Sequence, residues 1–88
     1  MFDKFRDMFE MRKKMEEVKK ELDSILLDSE DNLVRISISV SQEVKSVTIK
    51  EDLQKIEKKK LEDSLVETIN RAIKQAQMSA AEKMSRIS

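Results

Sequence analysis

The sequence predicts an α+β fold in which a small antiparallel sheet lies between two long helices. Three patterns lead to this prediction. Apolar residues recur at intervals of three and four in residues 3–26, alternate with polar residues in 34–40, and return to helical spacing after Lys58. One apolar face of the sheet needs a cover, and the two helical segments are the long elements that can provide it. We therefore expect a helix, two or three antiparallel strands and a second helix within one domain, residues 1–88.

The first predicted helix covers residues 3–26. Its seam of apolar positions follows the alternating three-and-four spacing of a helix that packs on another element: Met8, Met11, Met15, Val18, Leu22 and Ile25. Methionine side chains are flexible, so we expect this seam to be adaptable. Phe2, Phe5 and Phe9 are interpreted as a second stripe beside the seam. The stripe either packs against a partner helix, which we favour, or forms an exposed patch that docks on a protein or a membrane surface.

Two alternating runs predict a hairpin, and a three-residue loop, Ser41 to Glu43, joins them. The apolar members of the runs are Val34, Ile36, Ile38, Val40, Val47 and Ile49. The chain contains no glycine, so the type of turn stays open. Residues 25–27 fit either the last turn of the first helix or a short strand. We favour a strand over 25–29 that pairs with residues 33–41.

The second predicted helix runs from Lys58 nearly to the end of the chain. Its apolar stripe comprises Leu61, Leu65, Ile69, Ala72, Ile73, Ala76, Ala80, Met84 and Ile87. The bulky first half suits the open face of the sheet, and the alanines of the second half permit the close approach of another helix. One small sheet cannot cover this stripe and the first seam together, which predicts a dimer. The predicted dimer and core residues are Met8, Met11, Met15, Val18, Leu22, Ile69, Ala72 and Ala76.

The composition argues against several classes of function. There is no cysteine or histidine, which removes thiolate chemistry, the usual general base and the commonest metal ligand. Without glycine the chain cannot form a glycine-rich phosphate-binding loop. The acidic turn that begins at Asp28 does not match a calcium-binding loop, because Leu33 and Ser39 stand where glycine and glutamate are required. We expect no catalytic site, cofactor, metal, small-molecule substrate or membrane span, and a cytoplasmic location.

The charges are balanced overall but unevenly distributed. The formal net charge is +0, yet residues 68–88 carry four basic groups and one acidic group. A basic surface of this kind suits contact with the phosphates of duplex nucleic acid. The candidate contacts, chiefly on the second helix, are Arg12, Lys13, Arg71, Lys74, Lys83 and Arg86. The alternative function is a non-catalytic interaction module that presents paired helices to another protein.

Several segments together resemble one protein family. They are Met1-Phe2, Lys14-Met15, the run from Leu33 to Ile38, then Val44, Val47 and Ile49, and finally Leu61-Glu62-Asp63, Leu65-Val66, Asn70, Ala72-Ile73 and Glu82-Lys83-Met84. With these segments the chain resembles the YbaB/EbfC family of bacterial nucleoid-associated proteins. Two features depart from the family pattern. Residues 29–32 replace a turn that is usually rich in glycine, and the glycine- or proline-containing tails of many members are absent.

The resemblance implies an α-β-β-β-α protomer and a tweezers-like homodimer whose paired helices project from a sheet core. It also implies binding to duplex DNA with little sequence preference and association with the nucleoid. The basic positions of the family on the second helix are matched here by Lys74 and Lys83. The expected partners are therefore duplex DNA and a second copy of the chain.

Overall fold

The computed structural model describes the backbone of residues 2–87 and the side chains of residues 6–85. The elements are α1 (Phe2–Ser24), β1 (Leu26–Glu30), β2 (Val34–Ser39), β3 (Val44–Ile49), a short 3-10 turn (Leu53–Lys55) and α2 (Lys58–Ile87). The predicted α-β-β-β-α order is confirmed. The first helix ends two residues earlier than predicted, and the first strand lies one residue later. Neither α1 nor α2 has a stretch, within the described residues, that is long and apolar enough to cross a bilayer.

The sheet has the order β1-β2-β3, and both pairs of strands are antiparallel. Ile36 of β2 pairs with Val47 of β3, and a bulge after Ser37 then pairs Ile38 with Val44. Val44 and Val47 are three residues apart, so plain alternation would place them on opposite faces. Because the bulge inserts one residue, both valines lie on the apolar face.

The two turns of the sheet form without glycine, and specific hydrogen bonds hold each of them. In the β2–β3 turn Gln42 has φ 72°, a left-handed conformation that costs a non-glycine residue roughly 1–2 kcal/mol. Hydrogen bonds between the backbones of Ser39 and Glu43 and of Gln42 and Ser39 close this turn. In the β1–β2 turn the Asp31 carboxylate accepts hydrogen bonds from the backbone N–H groups of Leu33 and Val34. An aspartate thus organises the turn that is usually rich in glycine in the family that the sequence resembles.

The core lies between α2 and the first two strands. Ile36, Ile38, Ala72 and Ala76 are fully buried there, and Leu27, Leu65, Ile69 and Ile73 pack around them partly buried. We expected Ala72 and Ala76 to allow the approach of another helix. They face the sheet instead, because they occupy the same side of α2 as Leu65 and Ile69. Their small side chains bring the axis of α2 close to β2.

The third strand extends beyond the cover that α2 provides. Contacts of α2 with the sheet are made mainly by β1 and β2. Val44, Val47 and Ile49 belong to the apolar face, yet they are 39%, 48% and 40% exposed. The apolar face of the sheet is therefore only partly covered within one protomer.

Both helices leave the sheet at the end where the β2–β3 turn lies. The Ser41 side chain contacts Asp23 near the end of α1, and the Gln42 side chain contacts Gln77 of α2. Beyond these points α1 extends away from the sheet with residues 6–17 exposed. The molecule is accordingly elongated, with extents of 66 × 19 × 17 Å.

Candidate nucleic-acid interface

The basic residues of α2 do not share one face. Arg71 and Lys74 are exposed and lie on the side of the helix that points away from the sheet, since the neighbouring Ala72 and Ala76 face it. Lys83 is nine residues beyond Lys74, which at ~3.6 residues per turn places it about half a turn further round, on the opposite side. Lys83 is accordingly half-buried, on the face that carries Ala76. The side chain of Arg86 lies outside the described residues.

The basic residues of α1 lie on a second part of the surface, away from those of α2. Arg12 and Lys13 are exposed on the projecting part of this helix, on adjacent faces. Arg71 and Lys74, in contrast, lie above the sheet. The predicted contacts thus fall into two separate exposed pairs in each protomer, whereas Lys83 is half-buried on the side of α2 that carries Ala76.

The four exposed candidates are free of acidic partners among the described residues. The ion pairs in this part of the chain join Arg35 and Lys50 to Glu30, Lys45 to Asp23 and Glu43, and Lys59 to Asp63. None of these pairs involves Arg12, Lys13, Arg71 or Lys74. A cation without an internal partner keeps its full charge for an external anion, so these side chains are suited to contact phosphates.

The carboxylates with shifted pKa values serve the fold rather than this surface. A hydrogen bond from the Ser64 hydroxyl, with two backbone N–H donors, lowers the pKa of Asp31 from 3.8 to about 2. Hydrogen bonds from Ser41 and Lys45 lower the pKa of Asp23, and those from Lys50 and Arg35 lower the pKa of Glu30. Residues 6–85 contain no group of three or more acidic, histidine or cysteine side chains placed to hold a metal ion.

The methionine seam of α1 is mostly open in the protomer. Met8, Met11 and Met15 are exposed, whereas Val18 and Leu22 are half-buried near the sheet. Met15, Val18 and Leu22 line an apolar cleft together with Met84 of α2. The cleft lies between α1 and the C-terminal part of α2.

Phe9, the one described member of the predicted phenylalanine stripe, has a different position from the one expected. Phe9 is exposed, and because it follows Met8 directly it points roughly 100° away from that residue around the helix. It therefore lies on another face of α1 and does not widen the seam. The side chains of Phe2 and Phe5 lie outside the described residues.

Sequence reasoning missed two features of this region. Val44 joins the apolar face of β3 through the bulge after Ser37, which local periodicity does not reveal. The contact of Asp23 with Ser41 joins residues that are far apart in sequence. One local signal did exist for Asp23: an acidic residue in the last turn of a helix is unfavourable unless another group compensates it.

Comparisons with known proteins show the family of this chain. The model of the YbaB/EbfC DNA-binding family matches residues 1–88. A nucleoid-associated protein of Flavobacterium johnsoniae is 41% identical over 69 residues, which cover 76% of this chain and 64% of that relative. The match thus spans a little under two thirds of the length of this relative. The family match extends over all the segments that carried the resemblance, and the chain belongs to the YbaB/EbfC DNA-binding family.

Proposed function

We propose that this protein binds duplex DNA through its phosphates, with little sequence preference, as a nucleoid-associated protein of the cytoplasm. The observation that carries the proposal is a set of exposed cations, Arg12, Lys13, Arg71 and Lys74, which form no ion pair with another described residue, in a member of a DNA-binding family. Contacts from lysine and arginine to phosphates provide affinity and orientation without reading the bases. The chain has no tyrosine or tryptophan, and this also favours backbone contact over stacking on bases.

A homodimer is part of this proposal. In one protomer the half-exposed side chains of β3 and the methionine seam of α1 leave apolar surface in contact with water. A chain of 88 residues has a small core, for which association is a common source of stability. We expect a second copy to cover β3 and the cleft between α1 and α2, so that the same surface is used on both copies.

Dimerisation would also increase the number of exposed cations that one particle presents to DNA. The formal net charge of the chain is +0, so a protomer attracts a polyanion only through a local concentration of cations. A twofold axis doubles the number of exposed cations and spreads them along the elongated particle. Several phosphates can then be contacted at once, each contact being individually weak.

Paired substitutions test where the DNA contacts lie. We expect Arg71→Gln with Lys74→Gln to weaken binding to unrelated duplexes by a similar factor, about tenfold at low salt, with less salt dependence. The control is Lys55→Gln with Lys60→Gln, which removes the same charge from exposed residues outside the candidate surface. Equal losses in the two double variants would show that binding depends only on net charge and would refute the site. Lys83→Gln should weaken binding less than Lys74→Gln, because Lys83 is half-buried.

The alternative function would be favoured by a different result. If the parent protein does not retard any duplex at low salt, the DNA proposal fails. The interaction module that presents paired helices is then the better account of the exposed Met8 and Met11.

A further inference from the structure

The C-terminal end of α1 is the end that meets the sheet. The helix ends at Ser24 and β1 begins at Leu26, so Ile25 is the single residue between them. Residues 6–17 are exposed and receive no cover from the sheet of the same protomer. Among the described residues, the contacts that orient α1 against the sheet therefore lie close to residues 18–25, next to the cleft that Met15 and Met84 line.

Within this segment, the Asp23 side chain makes polar contacts with residues that are far from it in the sequence. The Ser41 hydroxyl donates a hydrogen bond to one carboxylate oxygen of Asp23 at 2.8 Å. The Lys45 ammonium lies 3.1 Å from that oxygen and 3.3 Å from the other. Both donors belong to the hairpin tip, residues 39–45. We call this set of contacts the Asp23 bridge.

Hydrogen bonds hold the hairpin tip in place beneath the Asp23 bridge. The hydroxyl groups of Ser39 and Ser41 are 2.6 Å apart, and Ser39, which is fully buried, also accepts a hydrogen bond from the backbone N–H of Glu43. On the other side of the tip, Gln77 of α2 donates to the side chain of Gln42 at 3.4 Å. The tip thus connects the helix that carries Arg12 and Lys13 with the helix that carries Arg71 and Lys74.

The stability of α1 alone does not explain an aspartate at this position. Asp23 lies in the last turn, where the partial negative charge of the helix terminus disfavours a carboxylate, and no basic residue in that turn compensates it. The compensation comes from Ser41 and Lys45, which lie across the chain in the hairpin tip. The placement of this charge is therefore accounted for by the contact with the tip.

We propose that Asp23 is a positioning residue for DNA binding: with Ser41 and Lys45 it fixes the angle of α1 and hence the spacing of the two cation pairs. The proposal rests on the proposed function. Arg12 is ~16 Å along the helix from Asp23, at ~1.5 Å per residue, so a tilt of about 20° moves it by ~6 Å. A charge-assisted hydrogen bond to phosphate spans about 2.7–2.9 Å and does not survive such a displacement.

The geometry can be measured without DNA. Glu10→Cys and Asn70→Cys place two spin labels on exposed sites of α1 and α2, and the chain contains no other cysteine. Dilution with unlabelled protein leaves only distances within one protomer. We expect a narrow distance distribution in the parent and a broader one in Asp23→Ala, with the same circular dichroism. An unchanged distribution in Asp23→Ala would overturn the proposal.

DNA affinity gives a second measurement. The loss of charge and the loss of the bridge should change the affinity of Asp23→Ala in opposite directions. Asp23→Ala removes a negative charge, so electrostatics alone would strengthen binding to DNA. We expect binding about three- to tenfold weaker instead, with a shallower salt dependence. The matched control, Glu21→Ala, removes the same charge from an exposed position outside the bridge and should bind as tightly as the parent or more tightly. Tighter binding by Asp23→Ala, to the level of the control, would overturn the positioning role.

A charge-reversed pair tests the bridge itself. Asp23→Lys combined with Lys45→Asp restores an ion pair at the same net charge, and we expect it to narrow the distance distribution relative to Asp23→Ala. A distribution as broad as that of the single variant would exclude the pairing of Asp23 with Lys45 as the cause. If the parent does not bind DNA, the proposed function fails. The distance distributions then decide by themselves whether the bridge fixes α1.

Discussion

Removal of the Asp31 carboxylate should destabilise the fold in a pH-dependent way. This side chain accepts hydrogen bonds from the N–H groups of Leu33 and Val34 and from the buried Ser64 hydroxyl of α2. It therefore holds the β1–β2 turn and attaches it to α2. Asp31→Asn keeps an acceptor oxygen for the turn but removes the charge. Asp31→Ala removes every acceptor and leaves Ser64 without this partner.

The size of the effect follows from the pKa of Asp31. A decrease from 3.8 to about 2 corresponds to about 2 kcal/mol in favour of the ionised form, at about 1.36 kcal/mol per pKa unit. The residue is partly exposed, so screening by water reduces the expected loss in Asp31→Asn to about 1–2 kcal/mol at neutral pH. Asp31→Ala should cost about 2–3 kcal/mol, because buried donors then lose their acceptor.

The sign of the pH dependence is fixed by the lowered pKa. A carboxyl group with a lower pKa in the folded state contributes stability above its unfolded pKa, and this contribution is lost as pH falls through the folded value. The difference between the parent and Asp31→Asn should therefore be largest above about pH 5 and shrink between about pH 4 and 2. The lowered pKa values of Asp23 and Glu30 affect both proteins equally and cancel in the difference.

Urea unfolding at one protein concentration measures this difference, since association makes stability depend on concentration. The free energy of unfolding of the two proteins is compared at pH 7 and pH 3. Equal stability at pH 7, or a difference that grows on acidification, would refute the role assigned to Asp31.

Three further substitutions test other parts of the structure. Thr68 is fully buried, and its hydroxyl has no hydrogen-bond partner of normal geometry among the described residues, although it helps to lower the pKa of Asp31. The desolvation of this hydroxyl and its attraction to the Asp31 carboxylate oppose each other, so Thr68→Val should change the free energy of unfolding by less than about 1 kcal/mol, and a larger loss in a urea titration would contradict this. Ala76→Leu should cost about 1–3 kcal/mol in the same assay, because Ala76 is buried between α2 and the sheet; a neutral effect would mean that α2 is not packed there. Val47→Ser should weaken the proposed dimer in sedimentation equilibrium while circular dichroism stays unchanged, since Val47 is half-exposed in the protomer. An unaltered dimer would move the interface away from β3.

The order of the elements could be predicted because it depends on local periodicity. The alternation around Ile36 and Ile38 and the helical spacing after Lys58 each follow from which residues must face the same side. The strand Leu26–Glu30 was harder to predict, since its residues fit both the helical and the strand period. The observed strand lies one residue later than predicted. Val44 could not be assigned to the apolar face, because the bulge that puts it there depends on the pairing of two strands.

The candidate site was predictable in composition but not in arrangement. Counting charges identified the basic C-terminal part of α2, yet Lys74 and Lys83 lie on opposite sides of that helix. Their spacing already contains this information, which a count of charges ignores. The contact of Asp23 with Ser41 and Lys45 has no local pattern, because it depends on how α1 meets the hairpin tip. Tertiary contacts of this kind require the structure.

The salt dependence of duplex binding by the parent protein shows whether its exposed cations contact phosphates without reading the bases. Two duplexes of unrelated sequence should give parallel lines of log K against log salt, with a slope near −0.9 for each phosphate contacted, or about −4 if Arg12, Lys13, Arg71 and Lys74 of one protomer all bind. Contacts from the second copy would make the slope steeper. Absence of binding at low salt, binding that is independent of salt, or strong preference for one duplex would contradict the account.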